Sequence, residues 1–470
     1  DRFVAFLRTR CPDGDIICGG EVVQVLLYAD DLVLLAHDPK LLQSYLDVLG
    51  HFCIASGLNV NVPKSEVVVF FKPWANGSFK WTFGRKQLKE SQEFVYLGVV
   101  FHSGGFKKSV KKAVKRRVEK AKRALFGIVG SCHGLKVYNL PVLNRLFDGV
   151  VVPSALYGSE IWGPDLVSFA DESFVYPPLE DLQWLFLRMA LWVGKSTPHL
   201  SMLRESGRRL LLLHCFQHAL GFWNRICSRP PDSLLYRAAK EDLLQVHSGW
   251  ARTITNMVHT ATGSEAILND ENGRLLQIPS KHVLSCIKDK EIAVRNREYD
   301  HIMNETRGCP GSVVRGCPDH VRQGFKCFKY GQWFDTRDDG DPILSYVDDV
   351  YDIRVLARFR CGVHWLATEK SRSTDLGRSA RKCPCCNSDE REDELHVLFC
   401  SAYRNIQNHF PIVFGSDVYQ RLLFAYSNNS HDIDQLLNQF MNKRDVAHID
   451  ALVGFLRRTI KLRNSFVSDH

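Results

Sequence analysis

Two apolar runs flank a short polar segment near the start of the chain. Residues 21–36 read EVVQVLLYADDLVLLA. Short runs rich in Val and Leu on both sides of a polar turn are typical of buried strands joined as a hairpin. The pattern therefore predicts a buried β-hairpin with two acids, Asp30 and Asp31, at its tip.

A helical pattern follows this hairpin. After Asp38 and Pro39, apolar residues recur three and four positions apart until Gly57, which is a typical helix terminator. Residues 66–71 and 94–101 read as further strands. The first 105 residues therefore predict a mixed α+β layer.

The pattern changes at residue 106, where a basic helix is predicted over 106–126. Its apolar seam consists of Val110, Ala113, Val114, Val118, Ala121 and Leu125. Helical spacing continues to about residue 230, which predicts a second, all-helical segment. Residues 231–345 are polar and irregular, with Gly and Pro between Cys309 and Pro318, and we interpret them as a connector that contains some helices.

Composition narrows the class of protein. The chain has 470 residues, 45% hydrophobic and 24% charged, which is ordinary for globular domains and argues against disorder. A formal charge of +9 favours polyanionic partners. Fifteen cysteines without a disulfide-like framework indicate a reducing compartment. No apolar run approaches the roughly 20 residues that a membrane span needs, so none is expected.

The acid pair suggests phosphoryl transfer. Adjacent carboxylates on a dry scaffold repel each other, and a divalent cation relieves that repulsion. Mg²⁺ prefers carboxylate oxygens and also binds substrate phosphates. A two-metal site needs at least one further acid from elsewhere. The alternative is a solvated turn, because Asp is a common turn residue.

The residues around the pair resemble a known family. Tyr28-Ala29-Asp30-Asp31, followed by Leu32 to Ala36, resembles the YxDD box of reverse transcriptases in the YADD form of non-LTR, LINE-type retrotransposons. Similar motifs follow in order: Gly57-Leu58-Asn59 with Asn61, Lys64 and Ser65, then Glu93 to Gly98.

The resemblance implies an RNA-directed DNA polymerase that uses two Mg²⁺ ions, deoxynucleoside triphosphates, an RNA template and a DNA primer. Asp30 and Asp31 would then be the catalytic Mg²⁺ ligands, and Lys64 would assist the pyrophosphate leaving group. Tyr28 and Ala29 would line the nucleotide and the primer end. Without the motif, Lys64 reads as an ordinary surface lysine.

One element of the family pattern is not found. The third carboxylate is expected well upstream of the YxDD box, and nothing in the 27 residues before Tyr28 matches it. The chain begins with Asp1 directly before an apolar stretch, so we expect a truncated front and weak or absent polymerase activity. No nuclease signature follows the cysteine-rich segment. The alternative function is a non-catalytic, zinc-dependent nucleic-acid-binding remnant of such an element.

The basic helix predicts contact with a phosphate backbone. The cations predicted to contact phosphates are Lys107, Lys108, Lys111, Lys112, Lys115, Arg116 and Arg117. Like charges three and four positions apart repel, and phosphates relieve that repulsion with salt-dependent affinity. The alternatives are a solvated face or a nuclear-localisation patch. Further on, Leu156 to Gly163 and Phe186 to Pro198 resemble the thumb of LINE-type enzymes and read as packing residues.

A second metal motif lies near the carboxyl end. Cys383, Cys386, His396 and Cys400 form C-x2-C-x9-H-x3-C, and three thiolates with one imidazole suit tetrahedral Zn²⁺. Cys385 is a competing ligand, and buried free cysteines beside a core histidine are the other alternative. The placement resembles the CCHC zinc knuckle of LINE-type proteins. That resemblance implies binding of RNA or target DNA, although a structural zinc stays open.

Together these features predict an α+β fold in four segments: a partial reverse-transcriptase palm at 1–105, a mostly helical thumb at 106–230, the connector at 231–345 and a small zinc-binding region at 346–470. We expect the protein to reside in a nuclear or cytoplasmic ribonucleoprotein.

Overall fold

The computed structural model describes residues 2–14, 16–70, 79–168, 176–245, 249–307, 330, 333–334, 342–366, 382–386, 388–407, 416–428 and 432–468. The segment with Gly and Pro between Cys309 and Pro318 lies outside these residues.

The described chain mixes helices and strands and is mostly helical. The strands are β1 (Ile17–Cys18), β2 (Glu21–Val22), β3 (Val25–Tyr28), β4 (Asp31–Leu34), β5 (Glu66–Val68), β6 (Thr82–Phe83), β7 (Lys86–Gln87), β8 (Lys89–Ser91), β9 (Glu93–Tyr96) and β10 (Val99–His102). Among the described residues they form five two-stranded sheets, in which β5 and β8 are parallel and the other pairs antiparallel.

The helices run through both halves of the sequence. They are α1 (Arg2–Arg10), α2 (Pro39–Ser56), α3 (Phe106–Gly134), α4 (Leu140–Leu146), α5 (Val152–Ala155), α6 (Ser159–Trp162), α7 (Pro177–Ala190), α8 (His199–Ser206), α9 (Leu211–Cys227), α10 (Leu234–Leu243), α11 (Trp250–Thr262), α12 (Ser280–Arg307), α13 (Val350–Arg360), α14 (Glu394–Phe399), α15 (Arg404–Gln407), α16 (Ser416–Ser427), α17 (Ile433–Met441) and α18 (Val446–Ser468). Where the chain is described, no helix is long and apolar enough to cross a membrane.

The chain divides into two compact units. Unit 1 comprises residues 1–119, 155–178 and 212–290, and unit 2 comprises 120–154, 179–211 and 291–470. The units follow spatial contacts, so each gathers segments that are distant in sequence. The four-segment division stays a prediction.

Unit 1 carries the predicted hairpin and the helix after it. Asp38 caps α2 by accepting a hydrogen bond from the Lys40 N–H, and Gly57 ends the helix at a φ of 68°. Both ends of this helix were predicted. On its inner face, Tyr45 and Leu49 pack against Phe3 and Leu7, and β3 and β4 add half-buried residues to the same cluster.

The connector was expected to be irregular with some helices, and α10, α11 and α12 occupy most of residues 234–307. In α11, Ile254, Met257 and Val258 are buried at helical spacing. The Trp223 indole N–H donates to the Leu276 carbonyl at 2.9 Å. The helical signal was present in the sequence but was hidden by polar neighbours.

Unit 2 contains ion pairs of buried arginines as well as apolar packing. The Arg360 guanidinium bonds the Glu205 carboxylate at 2.8 Å and the Phe334 carbonyl at 2.7 Å. The Arg208 guanidinium bonds Asp148 at 2.6 Å and lies over the Phe147 ring. Such pairs are costly to break because removing one partner leaves a buried charge.

We predict a pH-dependent contribution of His448 to the stability of unit 2. Its Nε2–H donates to the Phe440 carbonyl at 2.8 Å, and the ring is buried. Burial lowers the pKa of His448 to about 4 from 6.5, with the Phe440 carbonyl and Asp445 opposing the shift and Lys443 adding to it. Because the folded pKa is depressed, the contribution is present above pH 6.5 and is lost as pH falls towards 4.

Between pH 7.5 and 5 the loss should be on the order of 1–2 kcal/mol. Urea unfolding of the native chain and of His448→Gln, which cannot titrate, measures it as a difference between the two pH profiles. Parallel profiles would contradict the prediction.

Candidate active site and metal centre

The hairpin tip brings four of the predicted site residues together. Tyr28 and Asp31 are direct partners in the last rung of β3 and β4, so only Ala29 and Asp30 make the turn. Ala29 has a φ of 53°, a left-handed conformation that is strained for alanine. The turn therefore places two consecutive carboxylates, those of Asp30 and Asp31, beside the Tyr28 ring.

The scaffold beneath the tip differs from the prediction. Asp30 and Asp31 are exposed, as are Leu26, Leu27 and Tyr28, which is 62% exposed. The sequence predicted buried strands, but among the described residues this sheet has only two strands, which leave its faces partly uncovered. Water therefore screens the two charges, and their repulsion is weaker than it would be in a dry site.

Lys64 lies on a separate segment of unit 1. It ends a short 3-10 helix (Val62–Lys64) just before β5, and it is exposed. Val62 and the hairpin residue Leu34 both pack against the cluster of Leu46, Val67, Trp81 and Leu88. This shared packing fixes the segment that carries Lys64 relative to the hairpin.

The basic helix is α3, which is longer than predicted and ends at Gly134. All six predicted seam residues are buried. Lys107, Lys108, Lys111, Lys115 and Arg116 are exposed, as the prediction requires of a phosphate-binding face. Lys112 is also exposed but pairs with Glu93, and this hydrogen bond lowers the pKa of the Glu93 carboxyl.

Arg117 was predicted to contact nucleic acid, but its side chain contacts other residues of the protein. Its guanidinium donates to the Gly98 carbonyl and lies 4.3 Å from the centre of the Tyr157 ring. Burial lowers its pKa. The helical period places residue 117 at the edge of the apolar seam, so this side chain faces the protein and holds the β9–β10 turn.

Tyr157 also holds the β9–β10 turn, a role that the sequence did not predict. Its hydroxyl donates to the Leu97 carbonyl at 3.1 Å, so Arg117 and Tyr157 bond consecutive carbonyls. Leu97 and Gly98 have φ values of 47° and 79°. A Cβ at position 98 would collide with the Arg117 guanidinium, so this close approach requires glycine.

The cysteine-histidine cluster forms as predicted. The ligand atoms of Cys383, Cys386, His396 and Cys400 all lie within 4.8 Å of one another. The Cys383 and Cys400 sulfurs are 3.8 Å apart, and the Cys386 sulfur is 3.4 Å from the His396 Nε2. Helix α14 begins at Glu394, capped by Asp393, and places His396 and Cys400 on one side. The set could hold a metal ion.

Residues around the cluster orient its ligands. The His396 Nδ1–H donates to the Glu390 carboxylate at 2.6 Å, which leaves Nε2 for the sulfurs. The Tyr426 hydroxyl donates to the same carboxylate at 2.8 Å. Such carboxylate–histidine contacts fix the ring that binds a metal, and a purely packed core histidine does not need one.

The electrostatics of the cluster favour a cation. Hydrogen bonds from Cys385 and Cys400 hold the pKa of the Cys383 thiol far below its usual range. Burial alone would lower the pKa of His396, but its bonds to Cys383 and Glu390 raise it to about 9. The first shift favours a thiolate at Cys383 and the second indicates negative potential at His396, and a thiolate in such a site suits a divalent ion.

Cys385 is the weaker ligand candidate. Cys383, Cys385 and Glu392 also converge, but the Cys385 sulfur accepts a hydrogen bond from the Tyr403 hydroxyl at 3.2 Å. Glu392 is held by Arg463 through bonds of 2.5 and 2.8 Å, with both side chains buried. Cys386, by contrast, lies 3.4 Å from the His396 Nε2 and belongs to the four-ligand group.

Comparison with known proteins bears on the hairpin. Residues 1–101 match the family model of the reverse transcriptase, an RNA-dependent DNA polymerase. An uncharacterized transposon-derived protein of Caenorhabditis elegans is 29% identical over 141 residues, which are 29% of this chain and 48% of that protein. The chain thus spans about half of this relative, and the YADD turn lies inside the reverse-transcriptase segment.

Separate substitutions on α3 should distinguish its inward and outward cations. We predict that Arg117→Gln lowers the free energy of unfolding by about 1–2 kcal/mol, because the Gly98 and Tyr157 contacts are lost. Lys115→Gln should leave stability within about 0.5 kcal/mol. Urea denaturation of both variants checks this, and equal losses would show that Arg117 does not hold the turn.

Metal stoichiometry should identify the sulfur ligands. We predict that Cys386→Ser lowers bound zinc well below one ion per chain, whereas Cys385→Ser retains it, because Cys386 and not Cys385 belongs to the four-ligand group around His396. Native mass spectrometry after refolding with zinc measures both. Retention by Cys386→Ser with loss in Cys385→Ser would assign the neighbouring sulfur instead.

Proposed function

We propose that this chain is part of the reverse transcriptase of a non-LTR, LINE-type retrotransposon, which copies element RNA into DNA by Mg²⁺-dependent nucleotidyl transfer. The observation that carries the proposal is the tight β3–β4 turn, which sets Asp30 and Asp31 at an exposed tip inside the segment that matches the family. Residence in a nuclear or cytoplasmic ribonucleoprotein belongs to the same proposal.

The side chains at the tip have complementary roles in this reaction. Asp30 and Asp31 would hold Mg²⁺, which neutralises triphosphate charge and activates the primer hydroxyl when bound. Tyr28 offers an exposed ring beside the acids on which a nucleotide or primer end can rest. Lys64 supplies a positive charge for the leaving pyrophosphate.

The outward face of α3 would track the nucleic-acid backbone. Its exposed lysines and Arg116 repel one another in the absence of an anion, and phosphates remove that cost while releasing counterions. Binding through this face is therefore independent of sequence and weakens as salt rises.

Zinc bound by Cys383, Cys386, His396 and Cys400 would be structural. The segment from Asp389 to Glu394 contains five acids and one arginine, which makes it a poor contact for phosphates. Glu390 and Glu392 instead join it to Tyr426 of α16 and Arg463 of α18. The ion would cross-link these elements of unit 2 and stabilise their packing.

A non-catalytic nucleic-acid-binding remnant is the second candidate. The observation that favours it is the exposure of Asp30 and Asp31, because water-screened acids bind a cation weakly, while the basic face of α3 is accessible. The two candidates differ in whether Mg²⁺ at the tip matters for nucleotide binding.

The deciding experiment measures binding of a fluorescent deoxynucleoside triphosphate to the chain with a DNA-primed RNA template. We expect Mg²⁺ to tighten binding about tenfold, equal to about 1.4 kcal/mol, and Asp30→Asn to abolish that gain. Asp47→Asn, an exposed acid on α2, is the matched control and should behave as the native chain. Template binding without any Mg²⁺-dependent nucleotide binding would favour the remnant.

A further inference from the structure

A partly exposed aromatic cluster lies in unit 2. Tyr138 and Trp192 meet edge to face with ring centroids 6.1 Å apart, and His133 lies edge-on to Tyr138. The Arg354 guanidinium is 5.0 Å from the Trp192 ring centre. We name His133, Tyr138, Trp192 and Arg354 the stacking surface.

Trp192 occupies a position that normally favours glycine. Helix α7 ends at Ala190, and the Val193 N–H closes the last turn on the Arg188 carbonyl at 3.1 Å. This closure sets Trp192 at a φ of 55°, in the left-handed region where a bulky side chain is strained. The Trp192 side chain is 37% exposed, so core packing alone does not explain why a large residue stands at this strained backbone position.

The helix end at Lys136 provides an internal comparison. The Val137 N–H closes α3 on the Cys132 carbonyl at 2.8 Å, and Lys136 takes a φ of 56°. The segments that carry Tyr138 and Trp192 thus each place an exposed, non-glycine residue in the left-handed region. These residues are Lys136, which is cationic, and Trp192, which is aromatic. Strained backbone at exposed residues points to a binding role more than to folding.

The charge around the cluster favours an anion. Three cations are exposed here. Arg354 belongs to the stacking surface, and Lys136 and Lys195 are close in sequence to Tyr138 and Trp192. The nearby acids have defined partners: Asp348 accepts from the Asn139 amide at 2.7 Å, and Asp349 caps α13 through the Tyr351 N–H. Cations beside exposed rings are the combination that binds single-stranded nucleic acid, because bases stack and phosphates pair.

We propose that the stacking surface binds single-stranded nucleic acid, with a base on Trp192 or Tyr138 and a phosphate at Arg354. This site goes beyond the proposed function, since it requires neither the acid pair nor a paired primer. A base has an aromatic face of any sequence, so the preference is for unpaired strand over duplex, with little dependence on sequence.

The test uses fluorescence anisotropy of the full chain with a labelled oligo(dT) and with a duplex of the same length. We expect Trp192→Gly to weaken oligo(dT) binding at least fivefold without lowering the unfolding temperature, because glycine relieves the left-handed strain. Trp192→Tyr should retain most of the affinity. Trp192→Asn, which also tolerates this backbone, replaces the glycine variant if that one folds poorly.

A matched variant separates this site from α3. Lys108→Gln should weaken duplex binding, with a smaller effect on oligo(dT), whereas Arg354→Gln should do the reverse and lower the salt dependence. Unchanged oligo(dT) binding in folded Trp192→Gly or Trp192→Asn would overturn the proposal. So would self-association through this surface without nucleic-acid binding. Because none of these readouts needs Mg²⁺, failure of the polymerase proposal would be distinguishable.

Discussion

A turn of two residues positions the two acids of the segment that matches the reverse-transcriptase family model. Since Tyr28 and Asp31 are paired across β3 and β4, Asp30 has no position other than the tip, and Ala29 must take the left-handed conformation. The strain at Ala29 is thus the local cost of a turn this short.

The surroundings of the tip explain why a cation and a nucleic acid would have to complete the site. The acids are exposed and screened, so neither their charge nor their geometry is set by burial. Substrate binding would exclude water and strengthen every electrostatic interaction there. The carboxyl-terminal cluster is the opposite case, because Cys383, His396 and Cys400 are buried and Glu390 orients the His396 ring.

Local features were predictable from sequence because they depend on neighbouring residues. The hairpin, the limits of α2, the seam of α3 and the four convergent metal-ligand atoms follow from periodicity, caps and spacing. The inward turn of Arg117 and the exposure of Leu27 did not, since each depends on which distant segment covers that side. Tyr157 meets Leu97 across 60 residues, a pairing that no local pattern encodes.

The most direct test of a metal bound at the hairpin tip is iron-mediated cleavage. With Fe²⁺ in place of Mg²⁺, a primed RNA template and peroxide, hydroxyl radicals cut the backbone near the bound ion. We expect cuts within or next to residues 28–32 that excess Mg²⁺ suppresses and that disappear in Asp30→Asn. Cleavage that spares this segment, or that persists unchanged in Asp30→Asn, would contradict the account.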